Sequence, residues 1–203
     1  MKNIICFAIT LSSLFTTTYS QRDITLKSPE KEFSLGFNMG VNQSLFQTSI
    51  PDVNIKNTFG FKVGVFGNYQ LNPIFSISPK LELSANNFEV QFTDELIPNK
   101  ENYSLLFISS DIAVHAMFTS KNKSKKPFFS FGPNVKLPWS SSNTSFSGKY
   151  SLSMDVSVGF KQELEFFNLI PELRYSHGLT DFNLNSDIES MKLHSISLLL
   201  NFN

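Results

Sequence analysis

Among 203 residues there is a single cysteine, Cys6, and it lies so close to the N-terminus that the chain beyond it has no thiol. Disulfides, thiol nucleophiles and cysteine-ligated metals are excluded there. A charge excess is also missing: 17 basic and 17 acidic side chains cancel, so there is no basic surface for a nucleic acid. Long apolar runs are scarce as well. The longest, residues 4–15, falls short of the roughly 20 residues that a membrane-spanning helix needs, and no later window is long and uncharged enough. Finally, no segment beyond about ten residues keeps a 3.6-residue apolar period, which leaves little room for amphipathic helices.

What is present is phenylalanine, 22 of them, arranged with a period of two. Before the first alternating run, "MKNIICFAITLSSLFTTTYSQ" combines Lys2, the short apolar stretch and a polar Thr18-Tyr19-Ser20 before Gln21. That order predicts a secretory signal peptide over 1–20 and an exported domain over 21–203. Cys6 is too near the start of that signal to be a lipid-modified cysteine at a cleavage site.

Alternation then recurs eight times between turn signals, the pattern of strands with one apolar face. In "FSLGFNMGV", Phe33, Leu35, Phe37, Met39 and Val41 share one face. In "TFGFKVGVFGNYQ", Phe59, Phe61, Val63 and Val65 oppose Gly60, Lys62 and Gly64. A third run from Phe75 changes phase at Asn86-Asn87, which predicts a bulge or a sheet edge there. The fourth covers about 103–118, and the rest are "PFFSFGPNVKLPW", "YSLSMDVSVGFKQEL", "LIPELRYSHGL" and "KLHSISLLLNFN". The connections after the second, fourth and sixth strands are short (71–73, 119–126, 165–168), and those after the others are long (42–57, 93–102, 140–148, 180–190). All long loops then fall at one end, as in outer-membrane barrels with short periplasmic turns.

Alternation alone does not separate a soluble barrel, apolar inside, from a membrane barrel, apolar outside. The polar face carries small residues (Gly36, Gly40, Gly60, Gly64, Gly132, Gly159) and charges of both signs, which suits a narrow lumen filled by side chains. Aromatic residues on the apolar face gather near strand ends: Phe33, Tyr69, Phe75, Phe118, Phe129 and Phe202 at the short-turn end, Phe59, Trp139, Tyr150 and Phe182 at the other. They read as two interfacial girdles. The chain is therefore expected to be an all-β, eight-stranded antiparallel up-and-down transmembrane β-barrel in the cell outer membrane, with outer-membrane lipid as its surroundings.

With its signal-like start, eight alternating strands, "GFKVGVFGNYQLNP", "PELRYSHGLTDF" and the closing "SISLLLNF", the chain resembles the PorT-like outer-membrane β-barrel family. The resemblance implies the barrel fold and, through some relatives, partners in the type IX protein secretion machinery. It offers no catalytic residues to carry over, and Asn203 after the terminal aromatic departs from its pattern.

The densest group of ionisable side chains is in "IPELRYSHGLTDFN". Strand parity separates them: Glu172 and Arg174 face the lumen, Tyr175 and His177 the lipid interface. A lumen charge network of Lys62, Lys80, Glu82, Asp111, Lys161, Glu163, Glu172 and Arg174 is expected, with Lys161 opposite Glu172, Gly159 opposite Arg174 and Lys62 opposite Glu82. Carboxylate pairs such as Glu163 and Glu165 do not define an acid/base site. His177 and His194 meet across a hairpin centred near 185, but two imidazoles on the apolar face fall short of the three or four ligands of a closed metal site. His194 and Ser195 point to opposite faces and cannot act as a base and nucleophile pair. His115 shares the lumen face with Asp111 as a packed interior residue. No cofactor or metal is expected. The lysines of "KNKSKK" (Lys121, Lys123, Lys125, Lys126) form a solvated turn, or alternatively a dock for an acidic periplasmic partner. The function expected is that of a non-enzymatic structural or accessory barrel, and a diffusion pore is disfavoured because eight strands leave no aqueous channel. The alternatives are an enzyme acting on lipid A or phospholipid, and a binding module using loops 42–57 and 140–148.

Overall fold

The computed structural model describes residues 33–48, 53–57, 59–92, 103–120, 125–139, 150–180 and 191–203. They form nine strands: β1 (Phe33–Thr48), β2 (Val53–Asn57), β3 (Phe59–Gln70), β4 (Phe75–Phe92), β5 (Tyr103–Thr119), β6 (Lys125–Pro138), β7 (Ser151–Glu163), β8 (Asn168–Gly178) and β9 (Met191–Phe202). Every sequential neighbour from β3 to β9 pairs antiparallel, and β1 pairs both β3 and β9, so the sheet closes on itself. Strands β2 and β3 lie end to end along β4, giving an eight-stave barrel.

The sequence pattern places the strands well but misjudges two features. A bulge does accompany the phase change near Asn86, yet it sits on the facing strand. Phe61 pairs with Ala85 and Asn57 with Phe88, four steps on the β2–β3 side against three on β4, the mark of a β-bulge. The β4–β5 ladder runs unbroken from Phe75↔Phe118 to Val90↔Tyr103. The second correction concerns residues 42–57, expected as a long loop: β1 continues to Thr48 and β2 begins at Val53. Polar alternation there ("NQSLFQT", "VNIKN") belongs to strand that pairs with β9 on the β1 side and with β4 on the β2 side. The connections 93–102, 140–149 and 181–190 lie outside the described residues, as does Phe182.

The short turns have local causes. Asn72 and Pro73 supply turn chemistry between β3 and β4: Asn72 Oδ1 accepts the backbone N–H groups of Ile74 at 2.9 Å and Phe75 at 2.8 Å. Between β7 and β8, Leu164 N–H donates to Phe167 O at 3.0 Å.

Side-chain direction decides between a soluble and a membrane barrel. Along β3, Phe61 is 68% exposed while its neighbour Lys62 is 1% exposed. The same inversion runs round the barrel: Leu81, Ile112, Phe131, Val156, Leu173 and Leu198 face out, while Glu82, Asp111, Ser130, Asp155, Arg174 and Ser197 are buried inside. An apolar belt this large has no soluble counterpart and requires lipid. Aromatic contacts reinforce its short-turn edge, with Phe37 stacked on Phe202 at 4.8 Å between centroids and Phe75 against Phe118 at 5.0 Å. At the other edge Trp139 Nε1 donates to Ser110 Oγ at 2.8 Å, the polar end of its ring satisfied while its body stays outside.

Because Val156 lies mid-strand on this belt, Val156→Arg should destabilise the barrel by ~2–4 kcal/mol, and Phe59→Arg at the rim by only ~0–1 kcal/mol. Denaturant titration of the protein folded into phospholipid vesicles checks the contrast; equal losses would place the belt wrongly.

Candidate functional site: the packed lumen

The lumen is built in layers. Nearest the short turns, Phe66, Phe128 and Ile170 form a buried apolar floor. The Phe128 ring lies over Gly159, where an added Cβ would stand 2.6 Å from ring carbons, so only glycine admits it. Below this floor is a vestibule of about 220 Å³, lined among others by Asn68, Gln70, Lys126, Lys161 and Asn203.

Above the floor the ionised groups form one connected chain. Lys80 Nζ stands 3.0 Å from Glu172 Oε2, Arg174 Nε donates to Glu172 Oε1 at 2.9 Å, and Arg174 Nη1 donates to Glu82 Oε2 at 2.7 Å. From Glu82 it continues through Lys62 at 3.5 Å to Asp111 at 2.9 Å and Lys136 at 3.7 Å. A branch from Arg174 reaches Asp155 at 3.9 Å, which His115 Nε2 meets at 3.2 Å. Among the described residues, four buried cations (Lys62, Lys80, Lys136, Arg174) thus match four buried anions (Glu82, Asp111, Asp155, Glu172).

Amides and hydroxyls add to the coordination that burial demands, while Asp155 Oδ1 and Arg174 Nη2 are buried without a hydrogen-bond partner. Asn38 Nδ2 donates to Glu82 at 2.7 Å, Asn201 Nδ2 to Glu172 at 3.0 Å, and Asn134 Nδ2 to Asp155 at 3.1 Å. Ser84 and Ser109 donate to the two oxygens of Asp111 at 2.9 and 2.8 Å. Higher up, Ser44 and Asn42 both donate to Asn86 Oδ1.

Register explains which residues meet. Gly64, Glu82, Asp111 and Lys136 form one row across β3 to β6, and an added Cβ at Gly64 would stand 2.7 Å from Glu82 Cγ. Arg174 is flanked by Ser157 and Ser197, small enough for the guanidinium to turn across the lumen.

Six of the eight residues expected in the network are there: Lys62, Lys80, Glu82, Asp111, Glu172 and Arg174. Lys161 and Glu163 are not. Gly159, not Lys161, is opposite Glu172, and Ser157, not Gly159, is opposite Arg174, because the turn spans 164–167 and shifts the ladder by two. Lys161 keeps lumen parity but lines the vestibule, while Glu163, 54% exposed, pairs with Lys126 at 2.7 Å. The same slip sets Lys62 opposite Ser84 rather than Glu82; its long side chain still reaches Glu82 diagonally. Two members were missed, Lys136 and Asp155. Their period-two parity with Asn134 and Ser153 was the available signal. His115 is interior as expected, with Asp155 as its partner.

On the outer face, His177 and His194 do meet, 4.7 Å between ring centroids, and Ser195 is turned into the lumen, 1% exposed. Of the lysine run, Lys121 and Lys123 lie outside the described residues, as does the side chain of Lys125.

A polar, fully packed lumen inside an apolar closed sheet agrees with a family match: the profile of the outer membrane protein beta-barrel domain covers residues 19–183. The chain belongs to that family. This outer membrane beta-barrel resembles Neisserial surface protein A (NspA) in fold, with a TM-score of 0.56 at 14% identity over 85% of this chain and 97% of that one. More distant likenesses are Ail of Yersinia pestis, crystallised with the heparin analogue sucrose octasulfate (TM-score 0.45, 14% identity, 83% and 96% covered), and the N-terminal barrel of Pseudomonas aeruginosa OprF (0.38, 10%, 82% and 97%). A search of curated proteins finds no match. The family places the barrel in the outer membrane.

Removing Glu172 strands Lys80 and takes from Arg174 one of its two hydrogen-bonded carboxylates. Glu172→Gln should therefore cost ~3–5 kcal/mol of stability, and the loss in the Glu172→Gln/Lys80→Met double variant should fall well short of the sum of the singles. Lys161→Met should change stability by no more than ~0.5 kcal/mol. A double-mutant cycle in vesicles checks both; additive losses, or a coupling of Glu172 to Lys161, would contradict the network.

Proposed function

We propose that this barrel is a non-enzymatic anchor or accessory component of the outer membrane, its short-turn end docking periplasmic proteins, with the type IX secretion machinery as the partner class that the PorT-like resemblance suggests. The observation that carries the reading is the filled lumen. Groups that could line a channel are instead spent on one another in a neutral network, above an apolar floor. A barrel so closed acts through its ends and its outer surface.

Two placements weigh against lipid-modifying chemistry. His194 and Ser195 point to opposite faces, and His115 with Asp155 is shut in the interior. The short-turn end, by contrast, presents Phe166, 89% exposed, beside the vestibule and the Lys126–Glu163 pair.

Photo-crosslinking residues at Asn72 and Phe166 in intact envelopes should capture a defined set of periplasmic or secretion proteins, and the purified barrel in planar bilayers should show no stepwise conductance. Turnover of lipid A by the purified protein, or absence of adducts from both positions, would overturn the reading.

A further inference from the structure

Near the long-loop rim of the outer face, three donor atoms that sequence alone does not bring together converge. The β8–β9 register pairs Ser176 with Ser195, so the next step sets His177 opposite His194, and their rings stand 4.7 Å apart between centroids. Tyr175, diagonal to His194, directs its hydroxyl between them, 3.4 Å from His177 Nδ1 and 3.5 Å from His194 Nδ1.

As hydrogen bonds these contacts are poor. Whether the phenol donates to an imidazole nitrogen or accepts from an Nδ1–H, both contacts are longer than the roughly 2.7–3.0 Å usual for such bonds. As two edges of a coordination polyhedron, both meeting at the phenol oxygen, they have a suitable length. Donors each ~2.0–2.1 Å from a tetrahedral ion stand about 3.3–3.4 Å apart, the spacing set by the tetrahedral angle. Among the described residues no three His, Cys, Asp or Glu side chains converge; here the third donor is a phenol oxygen.

We propose that Tyr175, His177 and His194 bind one divalent transition-metal ion of the zinc and copper class, through the two Nδ1 atoms and the phenol oxygen, at the rim of the barrel's outer face. The two imidazoles come from adjacent strands of a closed sheet, so their separation is fixed before the ion arrives. His194 is only 9% exposed, its ring stacked parallel to Tyr175 at 6.4 Å, which limits rotamer freedom. His177 lies one residue before the end of β8, so the ion would sit at the rim rather than in hydrocarbon, and water or a headgroup oxygen would supply a fourth ligand. Exposed Lys192, two residues from His194 on the same face, opposes a cation, and its charge is screened at the wet rim. Imidazole donors favour copper over zinc in affinity.

The test uses the refolded chain without an affinity tag, in detergent micelles, titrated with Cu2+ and separately with Zn2+. One ion per barrel is expected, with Cu2+ bound more tightly and its electron paramagnetic resonance spectrum showing two coordinated nitrogens. His177→Ala and His194→Ala should each weaken binding more than roughly tenfold and leave one coordinated nitrogen, while Tyr175→Phe should weaken it less. Heat-modifiable gel migration reports that each variant has folded. Should a variant fail to fold, Cu2+ should still protect His177 and His194 of the unaltered protein from diethyl pyrocarbonate. No stoichiometric binding, unchanged affinity in the His177→Ala/His194→Ala variant, or no protection would overturn the site.

Discussion

Arg174 is the group on which the interior depends. Its guanidinium, 0% exposed, cannot shed its proton and so must be surrounded by anions wherever the fold puts it. Glu172 meets it from its own strand and Glu82 from the opposite wall, while Asp155 lies within 3.9 Å. Each of those carboxylates then needs further donors, and the search for them recruits Lys80, Lys62, His115 and the asparagine amides. Bringing any one of these charges out of water costs several kcal/mol, which only mutual pairing offsets. Cross-barrel closure is thus written into the requirement that Arg174 be neutralised, because its partners sit on β4, β7 and β8 and are held together only when the sheet is closed.

That requirement also limits what the protein can do. A lumen occupied by paired ions and capped by Phe66, Phe128 and Ile170 leaves little room for a conducting column of water, and its acid and base groups are largely engaged with one another. Chemical opportunity is displaced to the rims and the outer surface. There, the exposed short turns and the rim trio of Tyr175, His177 and His194 are the features that differ from a plain apolar wall.

Much of this was legible from alternation. Parity alone fixes which residues point inward, and it placed Lys62, Lys80, Glu82, Asp111, Glu172 and Arg174 correctly. Height along the barrel was not legible, since it depends on turn length, and a turn one residue off centre shifts each cross-strand partner by two. That is why Lys161 was paired with Glu172, although it lies at the vestibule. Residues 42–57 were misread for a different reason: strands of mostly polar residues lack an apolar face and so resemble a loop. The bulge opposite Asn86 was half visible, as a phase change whose compensating residue was on the neighbouring strand. Lys136 and Asp155 were readable by the same parity that found the others. The meeting of His177 with His194 was readable too, but Tyr175 was not, because its hydroxyl reaches the pair only through the diagonal offset of a twisted sheet.

The lumen is filled by its own side chains and closed to bulk solvent. Cys6 is the only native cysteine and lies outside the barrel strands, so it can be removed and single thiols introduced by near-isosteric changes. Ser130→Cys, Ser157→Cys and Ser176→Cys place a thiol at interior positions that are 0–1% exposed, on β6, β7 and β8. In the folded barrel each should resist a water-soluble maleimide for hours and react completely once the protein is denatured. Rapid labelling of the folded protein at these positions would mean a water-filled interior and would contradict the account.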